Sequence, residues 1–182
     1  MISFSPKEFR QTLGCYGTGV AVITLINEAG DDLGVTINSF ASVSLEPPLI
    51  LFSMANTSNI TSLFDRSKKF AVNVLAHDQE KLAMNFTRPS TASWSEIHFS
   101  RGENNCAKLS GSLAFLECNI ESIFPGGDHK ILIGRVEQIH RGVSADPLQY
   151  LLGFFGTHLK NAKINETLLR DESFNFIDHV WA

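Results

Sequence analysis

Cysteine is scarce in this chain and nowhere arranged to crosslink it or hold a metal: Cys15, Cys106 and Cys118 are odd in number, far apart and form no C-x-x-C pair. That argues against a disulfide framework and a zinc knuckle, so the three read as reduced thiols and no metal site is expected. Basic charge is not in excess either. A formal net charge of -4 supplies no field to draw in a nucleic-acid backbone or an anionic lipid surface, and neither is expected as a partner. No apolar stretch reaches membrane-spanning length, and the opening Met1-Ile2-Ser3-Phe4-Ser5-Pro6 lacks the basic region and apolar run of a secretory signal; a cytoplasmic location is the expectation. There is no G-x-G-x-x-G, so any dinucleotide must bind by something other than a strand-to-helix phosphate loop. What is present, 182 residues with 43% hydrophobic and 19% charged side chains, is an ordinary globular balance, long enough to bury one core.

The elements read as many short strands and few helices. Ser5-Pro6-Lys7-Glu8 joins an N-cap hydroxyl, a proline at the first helical position and a capping-box glutamate, predicting a short helix with Phe9, Leu13 and Tyr16 on one face. Gly17-Thr18-Gly19 breaks it, and the β-branched run 20–26 predicts a strand followed by a turn at 27–32. Runs 33–40, 49–54 and 70–75 predict three more strands; 58–64 and 78–86 predict two short helices, the second capped by Asp78. From 87 to 110 apolar periodicity disappears, which predicts a long excursion loop. Residues 112–124 alternate, with Leu116, Cys118 and Ile120 on one side and Glu117, Asn119 and Glu121 on the other, as in a half-exposed strand. Pro125-Gly126-Gly127-Asp128 turns the chain into a second long strand over 129–141, and 148–155 supplies a last one. The tail beyond residue 160, polar with scattered Leu168, Leu169, Phe174, Phe176, Ile177 and Trp181, reads as a helix or an arm clasping a partner. Helices this few and short argue against serial βαβ units. The fold class is mainly β, an antiparallel barrel with excursions over 1–160, followed by the 161–182 tail.

The segment Gly34-Val35-Thr36-Ile37-Asn38-Ser39-Phe40-Ala41-Ser42-Val43-Ser44-Leu45-Glu46-Pro47-Pro48 is dense in hydroxyl and amide side chains for a strand flanked by apolar strands. Buried polar groups need hydrogen-bond partners, which a polar ligand supplies; the alternative is that Thr36 and Asn38 face solvent on an amphipathic strand. Ser58, Asn59 and Thr61 stand at the start of a predicted helix, where hydroxyls and free amides either bind an anion or cap the helix. His129, beside a glycine turn, is on its own a turn residue.

Taken together and in order, these segments resemble the short-chain flavin reductase family, the flavin-binding split-barrel reductases that serve two-component monooxygenases. Gly34 to Pro48 is similar to the family pattern of a Gly, a Thr, an Asn or Ser, then S-F-x-S-V-S-L-x-P-P. Gly17-Thr18-Gly19-Val20-Ala21-Val22-Ile23-Thr24 looks like its opening strand, and Phe70-Ala71-Val72-Asn73-Val74-Leu75 with Gln79 and Met84-Asn85-Phe86 like its middle block. Gly126-Gly127-Asp128-His129-Lys130-Ile131-Leu132-Ile133-Gly134-Arg135-Val136 is similar to its G-D-H hairpin, and the likeness runs to about Leu159.

The resemblance implies an FMN-binding split β-barrel that forms a homodimer, with FMN or FAD bound noncovalently and NADH or NADPH as hydride donor. It also implies a flavin-dependent monooxygenase as the transient partner that receives reduced flavin. Carried over residue by residue, it puts Thr36, Ile37, Asn38 and Ser39 at the ring edge or ribityl chain. Ser42, Val43 and Ser44 approach the ribityl or phosphate, with Ser58, Asn59 and Thr61 at the phosphate. Asn85, Phe86 and Arg88 close over the flavin, Arg88 being otherwise a surface cation. His129 is placed beside the flavin ring as the catalytic residue, where the nicotinamide stacks, with Phe155 and His158 in the nicotinamide pocket. Both reacting groups are cofactors, so the protein's task is to position them and exclude water; His129 takes a positioning role ahead of proton transfer, and Asp128 shapes the turn.

Two departures stand out. Gly156-Thr157-His158 occupies the place where many relatives carry G-x-Y, and the 161–182 tail runs past the usual end. Two other functions compete: a flavin-binding carrier or electron-transfer domain without nicotinamide activity of its own, and a relative of the split-barrel pyridoxamine-phosphate oxidases. Nicotinamide oxidation with added flavin separates the first; the lack of a cationic cluster suited to that phosphate pair ranks the second last.

Overall fold

The computed structural model describes residues 3–88 and 92–157. Helix α1 (Pro6–Gly14) forms on the capping box: the Glu8 N–H donates to Ser5 Oγ, and the Glu8 carboxylate accepts the Ser5 N–H at 2.7 Å. Those bonds favour the charged form and hold the Glu8 carboxyl below its ordinary value. None of the helix is buried; Phe9, Leu13 and Tyr16 all stay exposed.

The chain then lays down β1 (Thr18–Gly19), β2 (Ala21–Ile26), β3 (Asp32–Ile37), β4 (Ala41–Leu45), β5 (Pro48–Ala55) and β6 (Lys69–Val74). After α2 (Glu80–Asn85) come β7 (Phe99–Arg101), β8 (Ala107–Leu109), β9 (Ala114–Gly126), β10 (His129–Arg141), β11 (Gln149–Leu151) and β12 (Phe154–Gly156). Seven strands make one antiparallel sheet in the order β3-β2-β6-β9-β10-β5-β4. Its two edges, β3 and β4, are consecutive in sequence and joined only by residues 38–40. The sheet therefore curls until its edges lie one short connection apart without pairing, which is a split barrel.

The inner face is filled by Ile23, Leu25, Ile37, Met54 and Leu132 around Phe52, Phe64 and Phe70. The three rings meet edge-on at centroid distances of 5.7, 5.3 and 6.3 Å. A second cluster covers the outer face, where Val20, Val22, Leu75, Phe86, Leu109 and Tyr150 pack beneath α2, Trp94 and Phe99. β2 is buried on both faces, which is why it reads as an unbroken apolar run. No helix among the described residues is long and apolar enough to cross a membrane.

Several elements differ from the sequence reading. β4 is a strand in its own right, with a bulge between Ser42 and Ser44. The helix predicted over 58–64 shrinks to a single 3₁₀ turn, Thr61–Leu63, because the Thr61 hydroxyl donates back to the Ala55 carbonyl at 2.7 Å. The N-cap position of α2 is Gln79 rather than Asp78; the Gln79 side chain accepts the Ala76 N–H and donates to the Ser110 carbonyl, stapling loops instead of capping the helix. The excursion is not all loop, since it contains the β7–β8 hairpin. Glu117, expected on an exposed face, is 1% exposed: its carboxylate accepts the Asn104 N–H at 2.6 Å and lies 3.2 Å from His140 Nε2. The last strand is a hairpin, β11–β12, reversing at Leu152 and Gly153, both with positive φ. The predicted tail, 161–182, lies outside the described residues.

Candidate functional site

The end of β5 is the hub where sequence-predicted residues meet. Its partner β10 begins at His129, paired directly with Ala55. Gly127 and Asp128 form the tight β9–β10 turn, and the positive φ of Gly127, 74°, at the first turn position fits a type II′ hairpin. The turn docks on β5: the Asn56 N–H donates to the Asp128 carbonyl at 2.9 Å, and the Asn56 amide to the Gly127 carbonyl. From below, the Ser58 N–H and the Thr61 hydroxyl both donate to the Ala55 carbonyl. From the split, Ser39 Oγ accepts the Ser53 N–H at 2.9 Å and lies 3.1 Å from the Ser53 carbonyl, locking residues 38–40 across the barrel edges. Ser39, Ser58, Thr61 and His129 thus converge around residues 53–55, with Asn38 and Asn59 next to them in sequence.

His129 is oriented by its neighbour. Its Nδ1 lies 2.7 Å from Asp128 Oδ1, and its side chain is 20% exposed. That hydrogen bond, and then the histidine's charge, hold the Asp128 carboxyl below its ordinary value. Beside His129 opens a cavity of about 560 Å³ whose polar wall includes Asn56, Thr61 and Lys130 and whose apolar wall includes Phe124 and Pro125. On β4, Ser42 and Val43 are exposed and Ser44 half-buried, along an edge strand that bonds to β5 on one side only.

Other predicted residues sit elsewhere. The Thr36 hydroxyl donates to the Ala83 carbonyl at 2.6 Å, and the Thr36 N–H to the Phe86 carbonyl, so Thr36 ties β3 to α2. Ile37 points into the inner core and Phe86 into the outer one. A Cβ on Gly34 would come within 2.5 Å of the Phe86 ring, so the motif's glycine is there to let that ring lie on β3. Asn85 staples the excursion, donating to the Ser93 carbonyl and accepting its N–H. Arg88 is exposed. Phe155 packs on Tyr150 at 5.3 Å in the small β1–β11–β12 sheet, and His158 lies outside the described residues.

Sequence reasoning missed Asn56, Lys130 and Asp65, which share the cavity with His129. Lys130 stands inside the hairpin segment Gly126 to Val136 with no role assigned from sequence, and nothing local marks Asp65.

A flavin nucleotide needs hydrogen-bond groups that the fold leaves open; among the described residues Ser58 Oγ is buried here with no hydrogen-bond partner, as are the Thr18, Ser112 and Tyr150 hydroxyls elsewhere. It also needs a polar cleft beside a group that can meet a second aromatic ring, which the cavity and His129 supply.

Comparison with known proteins gives the family. The flavin reductase like domain model matches residues 13–161. A "Probable flavin reductase" of Rhizobium meliloti (strain 1021) is 38% identical over 133 residues, 73% of this chain and 43% of that protein. "FMN reductase (NADH) SmoA" of Agrobacterium fabrum (strain C58 / ATCC 33970) is 38% identical over 151 residues, 82% of this chain and 84% of that one. The chain spans about half the length of three curated relatives, 43%, 58% and 50%. Among solved structures, the Streptomyces globisporus C-1027 NADH:FAD oxidoreductase SgcE6 in complex with NAD and FAD fragments superposes with a TM-score of 0.80 at 31% identity, covering 89% of this chain and 99% of that one. On its split-barrel fold and on a match across most of its length, the chain belongs to the flavin reductase like domain family.

Proposed function

We propose that this chain is an NAD(P)H-dependent flavin reductase that binds FMN or FAD noncovalently around the end of β5 and supplies reduced flavin to a partner monooxygenase. The observation that carries the proposal is an oriented imidazole, His129, lining a cavity beside Ala55, to whose carbonyl the Ser58 N–H donates while the Ser58 hydroxyl finds no partner among the described residues. When bound, the flavin supplies the ring atom that accepts hydride from the nicotinamide. Asn38 and Ser42, on either side of the split, hold the ring edge and ribityl chain, and Ser58 takes the phosphate end. The Asp128 contact fixes the rotation of His129, so that the imidazole presents one edge to the nicotinamide without having to move a proton. Phe124 and Pro125 supply the apolar side of the cavity.

The names of relatives support this reading: one is called an FMN reductase (NADH), another the reductase component of a flavin-dependent trigonelline monooxygenase. They give no such support to the carrier alternative. Exposed apolar side chains on a sheet edge support a homodimer: on β4 Leu45 is 94% and Val43 47% exposed, and a second copy would cover them. A cytoplasmic site of action goes with the three free thiols.

The test is steady-state oxidation of NADH and NADPH with FMN, FAD and riboflavin, each in turn, alongside light scattering. Flavin-dependent nicotinamide oxidation by a particle of twice 20.1 kDa is expected. Flavin binding without oxidation would leave only the carrier.

A further inference from the structure

Residues 55–63, Ala-Asn-Thr-Ser-Asn-Ile-Thr-Ser-Leu, contain no lysine or arginine. Yet the proposed reading puts a flavin phosphate there, and neutral hydroxyls leave most of a phosphate's charge uncompensated. A cation stands across the cavity. Among the described residues that line it, Lys130 is the one with a fixed positive charge, and its Nζ lies 2.8 and 2.7 Å from the two carboxylate oxygens of Asp65. The Lys130 side chain is 30% and the Asp65 side chain 49% exposed, so the pair sits in reach of solvent and an incoming anion can take the carboxylate's place at small desolvation cost. Ser62 and the Asn56 amide share that wall and can share the anion's oxygens.

We propose that Lys130 is the phosphate anchor of this site, exchanging Asp65 for the phosphate of a nucleotide cofactor. Lysine suits the task because its ammonium is a compact point charge on a flexible stem, able to swing from one anion to the other. Asp65 is then a competitor, holding the ammonium against the cavity wall until a stronger anion displaces it. The identity of the nucleotide rests on the flavin reductase reading; the phosphate belongs either to the flavin or to the nicotinamide dinucleotide, and binding measurements distinguish the two.

The full-length protein and its Lys130→Met, Lys130→Arg and Asp65→Asn variants are titrated with FMN against riboflavin and, free of flavin, with NADH against reduced nicotinamide riboside, at low and high salt. Lys130→Met is expected to weaken the phosphate-bearing member of one pair about tenfold, to leave its phosphate-free member within about twofold, and to flatten the salt dependence. Lys130→Arg keeps the affinity, which separates charge from packing. Asp65→Asn strengthens the same member several-fold. A purely structural ion pair cannot give opposite signs, because both variants break it alike. Response of the FMN and riboflavin pair assigns the flavin phosphate, and response of the other pair assigns the dinucleotide. Same-sign shifts, or no phosphate-dependent change in either pair, overturn the proposal. These are equilibrium readouts, so a protein that binds phosphate on Lys130 but oxidises no nicotinamide refutes the reductase reading and leaves the anchor standing.

Discussion

Two parts of the molecule carry clusters of polar side chains and use them differently. On the outer face of the sheet several close on the protein itself. Asn73 donates to Val22, Thr24 and Ala107 and accepts the Leu109 N–H, while Thr24 donates to the Ala107 carbonyl, so a pair of buried side chains pins β8 to the sheet. Asn85, Gln79 and Glu117 do the same for neighbouring loops. At the end of β5, Ser58 Oγ finds no hydrogen-bond partner among the described residues, as Tyr150 Oη finds none on the outer face, but here Asn56, Ser62 and Lys130 also line an open cavity. Neither a density of polar residues nor one unpaired hydroxyl is therefore a sign of a ligand site by itself; the sign is polar side chains that line an open cavity.

The difference is sharpest where loss of a side chain is most costly. Asn73→Ala should destabilise by about 2–3 kcal/mol, since it strands the buried Leu109 N–H, while the folded fraction keeps its FMN affinity; urea melts and flavin titrations on one sample check both. Gly34→Ala drives a methyl against the Phe86 ring and should cost about 1–3 kcal/mol in melts, relieved in part by Phe86→Leu because the two sites touch.

Alkaline pH gives a third contrast. Burial pushes the Cys106 and Cys118 thiols up to about 12 from an ordinary value of 9.0. A folded-state value raised above the unfolded one means that the unfolded chain loses its protons first. Stability is then complete below about pH 9 and falls as pH rises toward 12, by about 1 kcal/mol per thiol at pH 10. Melting curves from pH 8 to 11 should show this slope, and Cys118→Ala should flatten it. Exposed Cys15 alone should react with a thiol reagent in the native protein.

The smallest effects concern the site itself. Ser58→Ala should leave the melting temperature unchanged, because the hydroxyl makes no protein bond, yet weaken FMN binding several-fold. Ser39→Ala should lower both, because Ser39 also bonds the β5 backbone.

Local chemistry made much of this legible in advance. The α1 capping box, the β9–β10 hairpin at Gly127-Asp128 and the apolar strands β2, β5 and β6 are written in consecutive residues, and consecutive residues form them. What escaped depends on partners far away in sequence. The β7–β8 hairpin has three-residue strands with little propensity of their own, held by Asn73, by Thr24 and by Arg101 forking onto Asp32. Glu117 alternates like an exposed residue and is buried because Asn104 and His140 satisfy it. Within the candidate site, the convergence on residues 53–55 follows from the register of β10 on β5, which no local pattern encodes. The motif from Gly34 to Pro48 was visible as a whole, but not its division between Thr36, which bonds α2, and Ser39, which bonds β5.

The central claim is that His129 positions nicotinamide over a flavin held around the end of β5. It is tested most directly by stopped-flow flavin reduction on His129→Ala, paired with an FMN titration of the same protein. The expected result is slower reduction or a raised nicotinamide Michaelis constant, with flavin affinity within about twofold of the unsubstituted protein, a difference under 1 kcal/mol. Reduction at the unaltered rate, with the same Michaelis constant, would contradict it.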